Sequence, residues 1–193
     1  MRMRLLAALA ILMSLCACRQ GRPAAVPRPQ AYPRIEFPDS TYTLRDVEGV
    51  KMLFNTAATV TLRPSGAARG AWIDVTYPCM TAPSIYLTLT QAEDSTDFAY
   101  ALSNRRERMA LNLGQGRAEL TELTAPGGWE CQLLVARGSL TTPVQVLAWR
   151  AGEMLSGALV VTLPDSLGTA DAAFISPVIS GVERDMMVLL KNL

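Results

Sequence analysis

Apolar and polar positions alternate most cleanly between residues 72 and 90. Ile73, Val75 and Tyr77 point one way and Trp72, Asp74 and Thr76 the other, ending at Pro78, and Ile85, Leu87 and Leu89 repeat the pattern against Tyr86, Thr88 and Thr90. A period of two predicts two half-buried strands, and their closeness predicts that they pair. Arg34-Ile35-Glu36-Phe37 reads as a shorter strand stopped by Pro38-Asp39. Val60 and Leu62, between Thr59, Thr61 and Arg63, predict another before the turn Pro64-Ser65-Gly66. Tyr42 to Asn55 fits neither period well.

From Glu93 to about Met109 the period becomes helical. Phe98, Ala101, Leu102 and Met109 share one side, Asn104, Arg106, Glu107 and Arg108 the other. Glu93, Asp94 and Asp97 stand at its start, where free N–H groups and the helix dipole favour negative charge. After Gly114-Gln115-Gly116 come four strand candidates: Arg117 to Leu123, Trp129 to Arg137, Thr142 to Arg150 and Met154 to Leu163. Pro126-Gly127-Gly128 and Arg150-Ala151-Gly152 are hairpin turns between them. Leu133-Leu134-Val135 and Val146-Leu147-Ala148-Trp149 are apolar on both faces, as interior strands of a sheet require. Past Pro164-Asp165-Ser166, a stripe of Ile175, Val178, Ile179, Val182, Met186, Leu189 and Leu190 predicts an amphipathic helix packed on the sheet, with Glu183, Asp185 and Lys191 away from the stripe. The stripe reads as core in preference to a partner-binding face. These elements predict an α+β fold, a mostly antiparallel sheet packed by two principal helices. Their order is analogous to the PsbP/Mog1 type of small α+β domain.

The first residues change the picture from fold to address. Arg2 and Arg4 precede an apolar run from Leu5 to Leu15 that is too short to remain as a membrane span, followed by Cys16-Ala17-Cys18. A small residue before a cysteine at the end of such a run is the cleavage pattern of bacterial lipoproteins, with Cys18 as the lipidated residue. Cutting before Cys16 is a poorer match, and an ordinary secretory leader is the alternative. The expected organisation is a signal peptide at 1–17, a lipidated Cys18 with a Pro-rich tether at 18–33 (prolines at 23, 27, 29 and 33), and a single α+β domain at 34–193. The lipid would be the membrane attachment, on the periplasmic side, with the inner leaflet of the outer membrane ahead of the inner membrane.

With Cys16 removed and Cys18 lipidated, Cys79 and Cys131 form an even pair in an oxidising compartment, a candidate disulfide. It would close a loop of about fifty residues, worth about 4 kcal/mol. The competing reading is two buried small hydrophobes.

Charge and chemistry mostly exclude. The 18 basic residues less Arg2 and Arg4, against 17 acidic, leave the mature chain near −1, which argues against nucleic acid as a partner. The chain has no histidine. That removes the usual general base and the commonest zinc ligand, and with it any Ser-His-Asp or Cys-His site. Gly114-x-Gly116 lacks the context of a phosphate loop. No catalytic, cofactor or metal site is expected; a carboxylate-only hydrolase would need two acids in one cleft. Three features are candidates for contact: Arg105, Arg106 and Arg108, otherwise a solvated helix face; Trp72, Trp129 and Trp149, otherwise core; and Tyr32-Pro33-Arg34 after the tether, otherwise a cover over a sheet edge.

Three blocks of the chain resemble one known family: residues 27–38, from Pro27-Arg28-Pro29 to Glu36-Phe37-Pro38; residues 72–78, Trp72 to Pro78; and residues 155–161, Leu155-Ser156-Gly157-Ala158-Leu159-Val160-Val161. The family is the gliding-motility lipoprotein GldD family of the Bacteroidetes, and order and spacing agree along nearly the whole mature chain. The resemblance implies a cell-envelope lipoprotein acting without catalysis in gliding motility and the linked type IX secretion system, through contacts with other lipoproteins or envelope proteins of that machinery. A ligand-binding lipoprotein, holding a small molecule or lipid between sheet and helix, is the alternative. Family members carry cysteines near the positions of Val50 and Ala71, where this chain has none, so a family disulfide does not carry over.

Overall fold

The computed structural model describes residues 36–65, 69–79, 84–111, 117–137, 142–161 and 172–193. The leader, Cys18, the tether and Tyr32-Pro33-Arg34 lie outside them. Strands β1 (Tyr42–Val47) and β2 (Val50–Asn55) form a two-stranded hairpin. Strands β3 (Thr59–Pro64), β4 (Arg69–Thr76), β5 (Ser84–Gln91), β6 (Arg117–Thr124), β7 (Glu130–Arg137), β8 (Val144–Arg150) and β9 (Glu153–Val160) make a seven-stranded sheet. Its order is β3-β4-β5-β9-β8-β7-β6, antiparallel throughout. Helix α1 (Ser95–Leu111) leaves β5 and helix α2 (Ala172–Lys191) ends the chain. The fold is therefore α+β, a large antiparallel sheet packed by two helices. The predicted β4–β5 pair forms in register, with Ile73 opposite Leu87 and Val75 opposite Ile85.

Register separates the two faces of the sheet, because residues directly opposite in an antiparallel pair share a face. Ile73, Leu87, Val146 and Leu133 lie in one cross-strand row, with Gly157 between Leu87 and Val146. All four side chains are buried in the main core with the stripe of α2 and with Val47, Val50, Met52 and Phe54 of the hairpin. Every stripe residue predicted for α2 is buried. Helix α1 meets β8 and β9 more lightly, and none of its residues is fully buried. Asp94 starts it: its carboxylate accepts the Thr96 backbone N–H at 2.6 Å and its carbonyl the Phe98 N–H at 3.0 Å.

Two expectations fail, and one stretch left open by the sequence is resolved. Glu36 and Phe37 are not in a strand; residues 36–41 form an irregular segment whose Phe37 ring packs against Tyr77 and sits on Gly181 of α2. The ambiguous stretch 42–55 is a hairpin, closed by Glu48 and Gly49, both with positive φ (51° and 84°), as a two-residue turn of the I′ kind demands. Asp46 Oδ1 accepts the Gly49 N–H at 2.9 Å and fixes that turn.

The second failure is the Cys79–Cys131 disulfide, because both are free thiols. Sheet order sets β4 and β7 four strand positions apart, roughly 19 Å at about 4.8 Å per step, whereas bridged cysteines need Cα atoms within about 7 Å. Cys131 is also level with Ala71, at the end of β4 away from Cys79. The competing reading holds for Cys131. Its Sγ lies 3.6 Å from the Trp129 carbonyl and 3.8 Å from that of Leu190, and burial, aided by the charge of Glu130, pushes its pKa up to about 11. Burial raises the Cys79 thiol as well. Neither thiol is primed for reaction.

Candidate functional site

The most developed polar constellation is built around Asp185, which the sequence reading placed outside the core stripe. It is only 2% exposed. Its Oδ1 accepts from Tyr42 Oη at 2.8 Å and from Arg184 Nε at 3.2 Å; Oδ2 accepts from Tyr77 Oη at 2.7 Å and from Asn55 Nδ2 at 3.0 Å. Asn55 Nδ2 also donates to the Asp39 carbonyl at 3.0 Å, and Asn55 Oδ1 takes the Ala57 N–H at 3.0 Å. Arg184 donates to the Pro38 carbonyl at 2.9 Å and lies 5.5 Å from the Phe37 ring centroid. One carboxylate thus joins the hairpin, the end of β4, helix α2 and, through Arg184 and Asn55, the segment 37–39.

This arrangement binds; it is not set up to react. A tyrosine used as a base must lose its proton easily, and here the opposite holds. Burial, then the charge and hydrogen bond of Asp185, push the Tyr77 hydroxyl far above its ordinary value, and Tyr42 shifts the same way. The unfolded chain gives up a tyrosine proton near pH 10 while folded Tyr77 keeps it. The stabilisation is therefore complete below pH 10 and declines above it, by about 1.4 kcal/mol per pH unit for this one group. Urea unfolding between pH 10 and 11 should show a steeper loss of stability in the wild type than in Tyr77→Phe; equal slopes would show that Tyr77 is not held protonated.

The residues nominated from sequence scatter over the sheet. Trp129 is buried beneath Arg150, whose guanidinium carbon is 4.7 Å from the ring centroid. Trp149 is half-buried and carries Arg106 of α1 at 4.4 Å, while Trp72 is 46% exposed with Arg63 at 5.3 Å. The tryptophans therefore do not line one pocket. Among the arginines, Arg106 ties α1 to the sheet, whereas Arg105 and Arg108 turn into a cleft beneath the helix. Among the described residues, no group of three or more His, Cys, Asp or Glu could hold a metal ion, and no helix is long and apolar enough to cross a membrane. The signal that would have found Asp185 was present: 178, 182, 185 and 189 recur at four, three and four residues, one face of a helix.

Asp185, the one buried carboxylate among the described residues, is saturated by four donors of its own fold, which makes the constellation a structural one. The family match agrees. The chain belongs to the gliding motility lipoprotein GldD family, which it matches over residues 22–193. It is thus an envelope lipoprotein with a non-catalytic accessory role in gliding motility and type IX secretion, exercised through protein–protein contacts. No curated protein matches the chain.

Proposed function

We propose that this protein works on the periplasmic side of the envelope, held at the inner leaflet of the outer membrane by a lipid on Cys18, and supports type IX secretion by contacting other lipoproteins or envelope proteins of that machinery. The observation that carries the reading is the family match over residues 22–193. The proposed organisation has a signal peptide at 1–17, a lipidated tether at 18–33 and one working domain at 34–193. The Arg2/Arg4 leader, its apolar run and the Ala17-Cys18 junction support the anchor. A near-neutral mature charge supports protein partners and not nucleic acid. Kinship with the PsbP/Mog1 type remains an analogy of element order, supported by a strand-rich chain with one helix after β5 and one at the end.

The test is genetic. Deleting the gene in its own host, then analysing secreted proteins by mass spectrometry, should show loss of secreted cargo that wild type restores and Cys18→Ala does not. Unchanged secretion would overturn the secretion role. Full rescue by Cys18→Ala would overturn the anchor.

A further inference from the structure

The cleft between α1 and the middle of the sheet is unlike the rest of the molecule. It lies on the face away from α2, where the register places Tyr86, Ala158 and Gln145 in one row across β5, β9 and β8, with Ser156 in the next. Its volume is about 290 Å³, at the small end of ligand sites. Gln145 sits between Val144 and Val146 in a strand buried along most of its length, and is itself only 3% exposed. Its Nε2 has no hydrogen-bond partner. An orphaned buried donor of this kind costs about 1–3 kcal/mol, and an amide NH₂ can only be satisfied by an acceptor.

The roof supplies charge of one sign. Arg105 and Arg108, three residues apart, line the cleft together, and among the described residues no acidic side chain lines it with them. Arg108 Nε donates to Asn104 Oδ1 at 2.9 Å, which steadies its guanidinium without neutralising it. Burial, and then the neighbouring charge of Arg108, lower the pKa of Arg105. Both effects would be relieved by an anion. The remaining wall is mixed: Met109, Ala158 and Val160 supply an apolar side, and the hydroxyl residues Thr88 and Ser156 line it with them.

We propose that this cleft binds a small monocarboxylate with a short apolar body. The carboxylate accepts from the guanidinium groups of Arg105 and Arg108 and from Gln145 Nε2, and the body lies along Met109, Ala158 and Val160. A planar carboxylate suits the paired N–H groups of a guanidinium. The apolar side formed by Met109, Ala158 and Val160 favours a carboxylate with an apolar body over a bare inorganic anion. This site is independent of the secretion role, and Gln145 is the residue that reveals it, because an apolar side chain would fit the same strand without an orphaned donor.

The experiment is calorimetric titration of the full-length mature lipoprotein in nanodiscs with butanoate, hexanoate, hexanamide and inorganic phosphate, repeated on Arg105→Met and Gln145→Met. Hexanoate should bind, with hexanamide and phosphate at least about tenfold weaker. Each variant should lose hexanoate affinity by about tenfold or more while staying folded. Gln145→Met should also raise the unfolding temperature of the ligand-free protein by about 2–4 °C, as removal of an unsatisfied donor requires. Absence of carboxylate binding, equal binding of acid and amide, phosphate matching hexanoate, or undiminished binding by both variants would overturn the assignment.

Discussion

Asp185→Ala should destabilise the domain by about 3–5 kcal/mol, the loss expected when one partner of a buried charged network is removed. The carboxylate takes four donors, and they do not suffer equally. Tyr42 and Arg184 reach toward solvent and can turn to water. Tyr77, at 1% exposure, cannot, and Asn55 Nδ2 keeps only its bond to the Asp39 carbonyl. Two buried N–H or O–H groups left without acceptors, at about 1–3 kcal/mol each, account for the range. Asp185→Asn should cost less, because one oxygen survives to accept from Tyr77. The double variant Asp185→Ala with Tyr77→Phe should be more stable than the sum of the single changes allows, by about 1–3 kcal/mol. Urea unfolding of wild type, the three single variants and the double variant at neutral pH measures these differences. An Asp185→Ala protein within about 1 kcal/mol of wild type would show that the network does not hold these elements together.

That network also joins two blocks far apart in sequence, residues 27–38 and 72–78. Phe37 and Pro38 close the first block: the ring packs on Tyr77 at 4.6 Å between centroids and the Pro38 carbonyl accepts from Arg184. Tyr77 comes from the second block and donates to Asp185. Residues 37–38 are therefore fastened to α2 and to the end of β4 around the same polar group.

The parts of the fold set by local periodicity could be read from the sequence. Strands β4 and β5 alternate strictly because one face is core and the other is not, and α2 keeps its helical stripe for the same reason. The parts set by distant partners could not. Tyr42 to Asn55 lacks a clean alternation because β2 buries both Phe54 and Asn55, one for packing and one for the Asp185 network. Phe37 alternates with Arg34–Glu36 as a strand would, but its fate is decided by a glycine 144 positions later. Asp185 looked like a solvent residue because a carboxylate usually is one. Its four partners lie in three other parts of the chain and in its own neighbour. The cysteine pair failed through topology: β9 returns between β5 and β8 and widens the sheet between Cys79 and Cys131. Gln145 did leave a local trace, as a lone amide in an otherwise apolar strand.

The second large effect is expected at Gly157, in the middle of β9, the central strand of the sheet. A Cβ there would meet the Tyr86 carbonyl oxygen and Leu87 Cδ2 in hard overlap, and Leu87 Cα at 2.9 Å. Tyr86 O and Leu87 Cα belong to the backbone of β5, which pairs with β9 along eight residues, Leu87 directly opposite Gly157. Relief therefore requires the two strands to separate or slide, and sliding by one residue would turn the core face of β5 outward. Gly157→Ala should cost about 3 kcal/mol, the upper part of the range for overpacking, after allowing for the smaller entropy loss of alanine. Gly181→Ala is the informative comparison. There the overlap is with the Phe37 ring, a side chain that can swing away, so the cost should be smaller and should appear as exposure of Phe37 while the sheet stays intact. Hydrogen exchange of the β5 and β9 amides together with urea unfolding separates the two cases. Gly157→Ala should lose protection in both strands and Gly181→Ala in neither, and equal protection in the two variants would show that β5 and β9 tolerate a side chain between them.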